Sequence, residues 1–164
     1  MLKIITHPND ILRKKSQAID LMELKKPEFK KLIKEMIETM VKKDGAGLAA
    51  PQIGQNIRLI IVGDQEKAIT MINPEITKKS WAKEIEPEGC LSVVNKKGEI
   101  YFLPVARHKK INCIYFDIHG QKQKIVAENL LARAIQHETD HLDGILFIDK
   151  AKDLHEATAE EEFK

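Results

Sequence analysis

The run His137-Glu138-Thr139-Asp140-His141 lies inside a stretch whose other residues call for burial. From residue 128 to 144 the chain reads as one helix, closed by Gly144. Leu130, Ala134, His137 and His141 fall on one stripe of it, and Leu131, Ile135, Glu138 and Leu142 on the next. Two imidazoles and a carboxylate therefore face the same way as the apolar side chains. A buried polar group without a partner costs about 2 kcal/mol or more, so the fold must place something beside them. Two histidines four residues apart can grip one metal ion, with the glutamate leaning toward it. A metal would satisfy both rings, and an open cavity would accommodate the carboxylate. The bland alternative is two rings satisfied by backbone carbonyls.

The rest of the chain must build a core around this helix. Its 164 residues suit one domain, and 43% hydrophobic with 32% charged residues fits a globular protein. No apolar run approaches the ~20 residues needed to span a bilayer. The start, Met1 to Pro8, has no secretory h-region or cleavage site. Lys plus Arg is 27 against 25 Asp plus Glu, too balanced to predict nucleic-acid binding. These features place the protein in the cytoplasm, with neither membrane nor nucleic acid as partner. A reduced cytosol also makes a Cys90–Cys113 disulfide unexpected.

After Pro27, Phe29, Leu32, Ile33, Met36, Ile37, Met40 and Val41 recur at helical spacing, and Asp44-Gly45 ends that helix. Residues 8–13 read as a turn or short helix capped by Asn9 or Asp10. Gly45 to Gln52 reads as a small-residue loop. Short strands are expected at 57–62, 69–72, 81–86, 90–94, 99–105, 110–116 and 124–127, with a hairpin turn at 117–120 and one more strand at 145–148. Strands between two helices argue for a single α+β domain. It is expected to span residues 1–152, with an acidic, fraying tail at 153–164.

Two histidines leave a metal short of ligands, since catalytic sites usually have three from the protein. Downstream, His155 and the acidic tail lack packed surroundings. Upstream, Cys90 sits in Glu88-Gly89-Cys90-Leu91-Ser92, where the glycine lets backbones come close. A thiolate is a strong ligand for iron, zinc or cobalt. Cys113 lies in what reads as an ordinary strand interior and is expected only to pack.

At these residues the chain resembles the peptide deformylases. That family shows G-x-G-L-A-A-x-Q, E-G-C-L-S and Q-H-E-x-x-H in this order. All three are present, as Gly45 to Gln52, Glu88 to Ser92 and Gln136 to His141. The likeness runs from His7-Pro8 to about residue 150. The resemblance implies mostly antiparallel strands around a central metal-binding helix. It implies removal of the N-terminal formyl group from formyl-Met of nascent proteins, releasing formate. By residue match, Cys90, His137 and His141 bind a metal, natively Fe²⁺, with Zn²⁺, Ni²⁺ or Co²⁺ able to replace it. Glu138 is the general base, and the Gln52 amide and Leu91 N–H hold the oxyanion. The small side chains of Gly45, Gly47, Ala49 and Ala50 would let a substrate backbone pass closely, and the resemblance makes the stretch from Gly45 to Gln52, Ala46 included, an edge that pairs with the substrate like an added strand. Ala46, Leu130 and Ala134 wall the methionine pocket, and Glu88 and Gly89 belong to the loop carrying Cys90.

Two stretches depart from the family pattern. After E-G-C-L-S the usual Pro is Val94, the stretch 93–104 is longer, and Lys stands where Arg is often found. This affects the pocket rim rather than the metal centre. The tail ends in Glu160-Glu161-Glu162, which RNA phosphate should repel, so docking on the ribosome through a basic tail is not expected. The rival readings are an endopeptidase with another third ligand, and a metal-binding descendant without activity.

Overall fold

The computed structural model describes residues 1–63 and 66–151. Its centre is a five-stranded antiparallel sheet between two helices. The strands, in chain order, are β1 (Gly47–Ala49), β2 (Leu59–Val62), β3 (Ile69–Lys79), β6 (Lys110–Phe116) and β7 (Lys122–Glu128), and they lie side by side in that order. A separate two-stranded sheet pairs β4 (Lys83–Glu88) with β5 (Leu103–His108). The helices are α1 (Pro27–Lys42), α2 (Asn129–Leu142) and the single turn α3 (Phe147–Lys150).

Strand β2 shows how the layers form. All four of its side chains are fully buried, and successive ones point to opposite faces. Leu59 and Ile61 join Met36 and Met40 of α1 in one cluster, while Ile60 and Val62 join Ala132, Ile135 and Leu142 of α2 in another. The periodic stripe after Pro27 is thus the buried face of α1. Cys113 sits in the α2 cluster, where burial pushes its thiol up to about 11. It packs, as expected.

Helix α2 is buried more completely than a two-stripe pattern implies, with every side chain from Ala132 to Thr139 buried. Its first turn is the exception, because Leu130 remains 69% exposed. Its end is held by Gly144, at φ 73°, whose N–H donates to the carbonyl of His141. A Cβ on Gly144 would lie 2.7 Å from the carbonyl carbon of Arg13, so the N-terminal turn Asp10–Arg13 packs directly on this glycine. The side chain of Asn9 caps that turn by accepting from the Ile11 N–H.

Several expected elements differ. Residues 145–148 are not a strand. Leu146 and Phe147 drop into a third cluster with Leu12, Cys90, Val93 and Val105, and Asp149 accepts from the Leu146 N–H to start α3. An apolar run that short fits a strand or a buried turn equally well. Residues 90–94 form a turn rather than a strand, with isolated bridges between Cys90 and Val93 and between Val94 and Ile100. The stretch from Gly45 to Gln52 is not all loop, since it contains β1 and the 3-10 turn Ala50–Ile53. Strand β3 runs on to Lys79, beyond the expected 72, and β5 ends at His108 rather than 105. The tail expected to fray lies outside the described residues. No helix among the described residues is long and apolar enough to cross a membrane.

Gly144→Ala should lower folding stability by about 1–3 kcal/mol, through strain at positive φ and collision with Arg13. Urea unfolding checks this, and an unchanged midpoint contradicts the contact.

Candidate metal centre and active-site cleft

The helical repeat of α2 sets His137 and His141 one turn apart, with ring centroids separated by 5.0 Å. Cys90 arrives from the turn after β4, its sulfur 3.3 Å from Nε2 of His141. One donor atom from each of these three buried residues lies within 4.8 Å of the others. This is the one such cluster of His, Cys, Asp and Glu among the described residues.

The donor set fits a metal ion. The Nδ1 of His137 lies 2.9 Å from Glu88 Oε2, which leaves Nε2 as its donor. The Nδ1 of His141 and Oε2 of Glu138 are buried without a hydrogen-bond partner among the described residues. Burial alone would lower both rings' affinity for a proton. Around His137 the Cys90 sulfur and Glu88 overcome burial and raise its pKa well above the ordinary value. Burial, together with the neighbouring His137, holds His141 well below it. One sulfur and two imidazoles suit iron, zinc or cobalt.

Glu88 is the hub behind His137. Its Oε1 accepts from Arg107 Nε at 2.8 Å and Arg133 Nη1 at 2.8 Å. Its Oε2 accepts from Arg107 Nη2 at 2.9 Å and faces His137. Burial would raise this carboxyl, but the hydrogen bonds from Arg107 and His137 prevail and hold it at about 2. Arg107 also donates to Asp140, which Lys150 reaches from the other side. Sequence reasoning missed both arginines. The available signals were the position of Arg133 four residues before His137, and that of Arg107 two residues after Val105 on an alternating strand.

Glu138 stands beside His137, and burial pushes its carboxyl up to about 7. Gly47 makes room for it: a Cβ there would lie 2.7 Å from Cγ of Glu138. The 3-10 turn after β1 aims Gln52 inward. Its Oε1 accepts from the Ala49 N–H at 2.7 Å, so its Nε2 points at the Cys90 sulfur, 3.5 Å away.

These groups open onto a cleft of about 260 Å³. Gly45, Ala46 and Gly47 line one wall with Gln52, and Glu88, Gly89, Cys90 and Leu91 another. Leu130, Ala134, His137 and Glu138 come from α2, and His141 lies behind Cys90. Every residue nominated from sequence is thus brought to one place. Ile100, Phe102 and Arg133 line the same cleft and were not foreseen.

The polypeptide deformylase family model matches residues 1–157. The peptide deformylase of Wolinella succinogenes is 40% identical, aligned over 100% of this chain and 96% of its own length. That of Desulforudis audaxviator is 38% identical over 94% and 96%. Among solved structures, a peptide deformylase from Legionella pneumophila superposes with a TM-score of 0.87 at 34% identity, covering 99% of this chain and 93% of that one. The actinonin-bound class I type b enzyme of Acinetobacter baumannii gives 0.83 at 34% identity, covering 91% and 97%. On sequence and fold together, this chain belongs to the polypeptide deformylase family, metallohydrolases that remove the formyl group from nascent peptides.

Proposed function

We propose that residues 1–152 form a catalytic unit that hydrolyses N-formylmethionyl peptides, with Cys90, His137 and His141 holding a divalent metal. The resemblance to the family implies Fe²⁺ as the native ion, with Zn²⁺, Ni²⁺ or Co²⁺ as substitutes, and one thiolate with two imidazoles can accept each of them. The observation that carries this reading is the convergence of sulfur and ring nitrogens within 4.8 Å, beside a glutamate with an unpartnered oxygen and an amide aimed at the sulfur. The working location is the cytoplasm, near chains leaving the ribosome. The bacterial relatives and the lack of a membrane-length helix among the described residues support this.

A bound metal would polarise the formyl oxygen and lower the pKa of a water. The chain's own residues do the rest. Glu138 takes the water's proton and returns it to the leaving amine, a task suited to a buried carboxyl that faces the cleft. Gln52 Nε2 and the Leu91 N–H oppose the charge that develops on the formyl oxygen. The peptide backbone adds to the sheet at β1, an edge strand whose glycines permit close approach. Ala46, Leu130 and Ala134 receive the methionine side chain. A Met-Ala-Ser complex of the Acinetobacter baumannii enzyme supports a peptide substrate of this kind.

Anaerobic protein loaded with Fe²⁺ should release formate from formyl-Met-Ala-Ser, and a null result with correctly loaded protein contradicts the reading. Glu138→Ala should retain its metal by elemental analysis yet lose roughly 10³-fold or more in kcat; loss of the metal would make Glu138 a ligand instead.

Glu88→Gln should cost about 3–5 kcal/mol, because it leaves buried arginines uncompensated. The pH dependence has a definite sign. Glu88 titrates at about 2 in the fold against an ordinary value of 4.5, so its contribution is complete above 4.5 and disappears as pH falls toward 2. The stability gap between the native chain and Glu88→Gln should narrow over that interval in urea titrations. A gap that widens there would contradict the ionised hub.

A further inference from the structure

The stretch 93–104, which departs from the family pattern, reaches into the cleft. Its tip is a tight turn. The Asn95 N–H donates to the Glu99 carbonyl at 2.9 Å, and the Gly98 N–H to the Asn95 carbonyl at 2.9 Å. Asn95 Oδ1 accepts from the N–H groups of Lys97 and Glu99, and a bridge joins Val94 to Ile100. The chain then leaves the turn extended, so neighbouring side chains part. Tyr101 turns inward and packs on Phe147 with ring centroids 6.3 Å apart, in the cluster that also holds Cys90. Ile100 and Phe102 turn the other way and lie over Gly89. A Cβ at position 89 would stand 2.8 Å from Cγ2 of Ile100 and 2.8 Å from Cε1 of Phe102.

Gly89 precedes Cys90, and the Phe102 ring lines the same cleft as Cys90, His137 and Glu138. It stays 65% exposed there, with Ile100 38% and Leu130 69% exposed, and all three line the same cleft. Large apolar groups left uncovered at the mouth of a cleft mark a ligand surface. The site that adjoins them supplies the occupant: the first side chain of the peptide whose formyl group lies at the metal centre.

We propose that Phe102, backed by Ile100, is a specificity-determining wall of the first-residue pocket, selecting a long unbranched apolar side chain. This rests on the deformylase reading and names the part of its substrate preference set by the altered loop. The wall acts by contact area, to which a thioether near an aromatic edge adds further attraction.

The test compares kcat and KM of Fe²⁺-loaded protein for formyl-Met-Ala-Ser and formyl-Ala-Ala-Ser, with metal content checked in each variant. In Phe102→Ser the preference for the Met peptide over the Ala peptide should fall roughly tenfold, with the change carried by KM of the Met peptide. Phe102→Leu should keep most of the preference. Equal losses on both peptides, a change carried by kcat, or no change would overturn the wall. Ile100→Ala, judged by the same ratio, serves if Phe102→Ser fails to fold. No formate from either peptide with the native chain would instead refute the deformylase reading itself.

Discussion

A helix that carries ionisable groups through an apolar core must find a partner for each of them. Helix α2 meets this demand in part. One face of His137 is tied to Glu88 and His141 Nε2 faces the Cys90 sulfur, while His141 Nδ1 and Glu138 Oε2 are left without a hydrogen-bond partner among the described residues. The two histidines share one helix while Cys90 is far from them in the chain, so their meeting requires the turn after β4 to dock on α2. The third apolar cluster fastens that turn by burying Cys90 and Val93 against Leu12, Val105 and Phe147.

Glu88 links this docking to the chemistry. It is the last residue of β4, and its partners come from β5 and α2. One ionised carboxylate thus joins three elements and fixes the orientation of the His137 ring. Such buried ionic groups are weak sources of net stability, yet removing one member is severe. The arrangement is better suited to fixing geometry than to strengthening the fold. Gly47 contributes in the opposite manner, by having no side chain where the Glu138 carboxylate must sit.

Much of this was legible in the sequence. The residues that meet at the cleft carry spacing signals: His137 and His141 by helical repeat, Cys90 and Gln52 through short motifs. The stripe of α1 and the capped turn at Asn9 also follow from local rules. What escaped was set by tertiary context. Arg107 and Arg133 look like surface cations until a buried carboxylate is placed between them. Residues 145–148 look like a strand until no neighbouring strand accepts them. Ile100 and Phe102 lie in a stretch without a recognisable pattern, and their position over Gly89 depends on the turn at Asn95.

The central claim is that one sulfur and two ring nitrogens surround one ion. X-ray absorption at the metal edge of the loaded protein measures this directly. The account predicts one sulfur and two imidazole nitrogens in the coordination shell, with the sulfur lost in Cys90→Ser. A shell of nitrogen and oxygen alone in the native chain would contradict it.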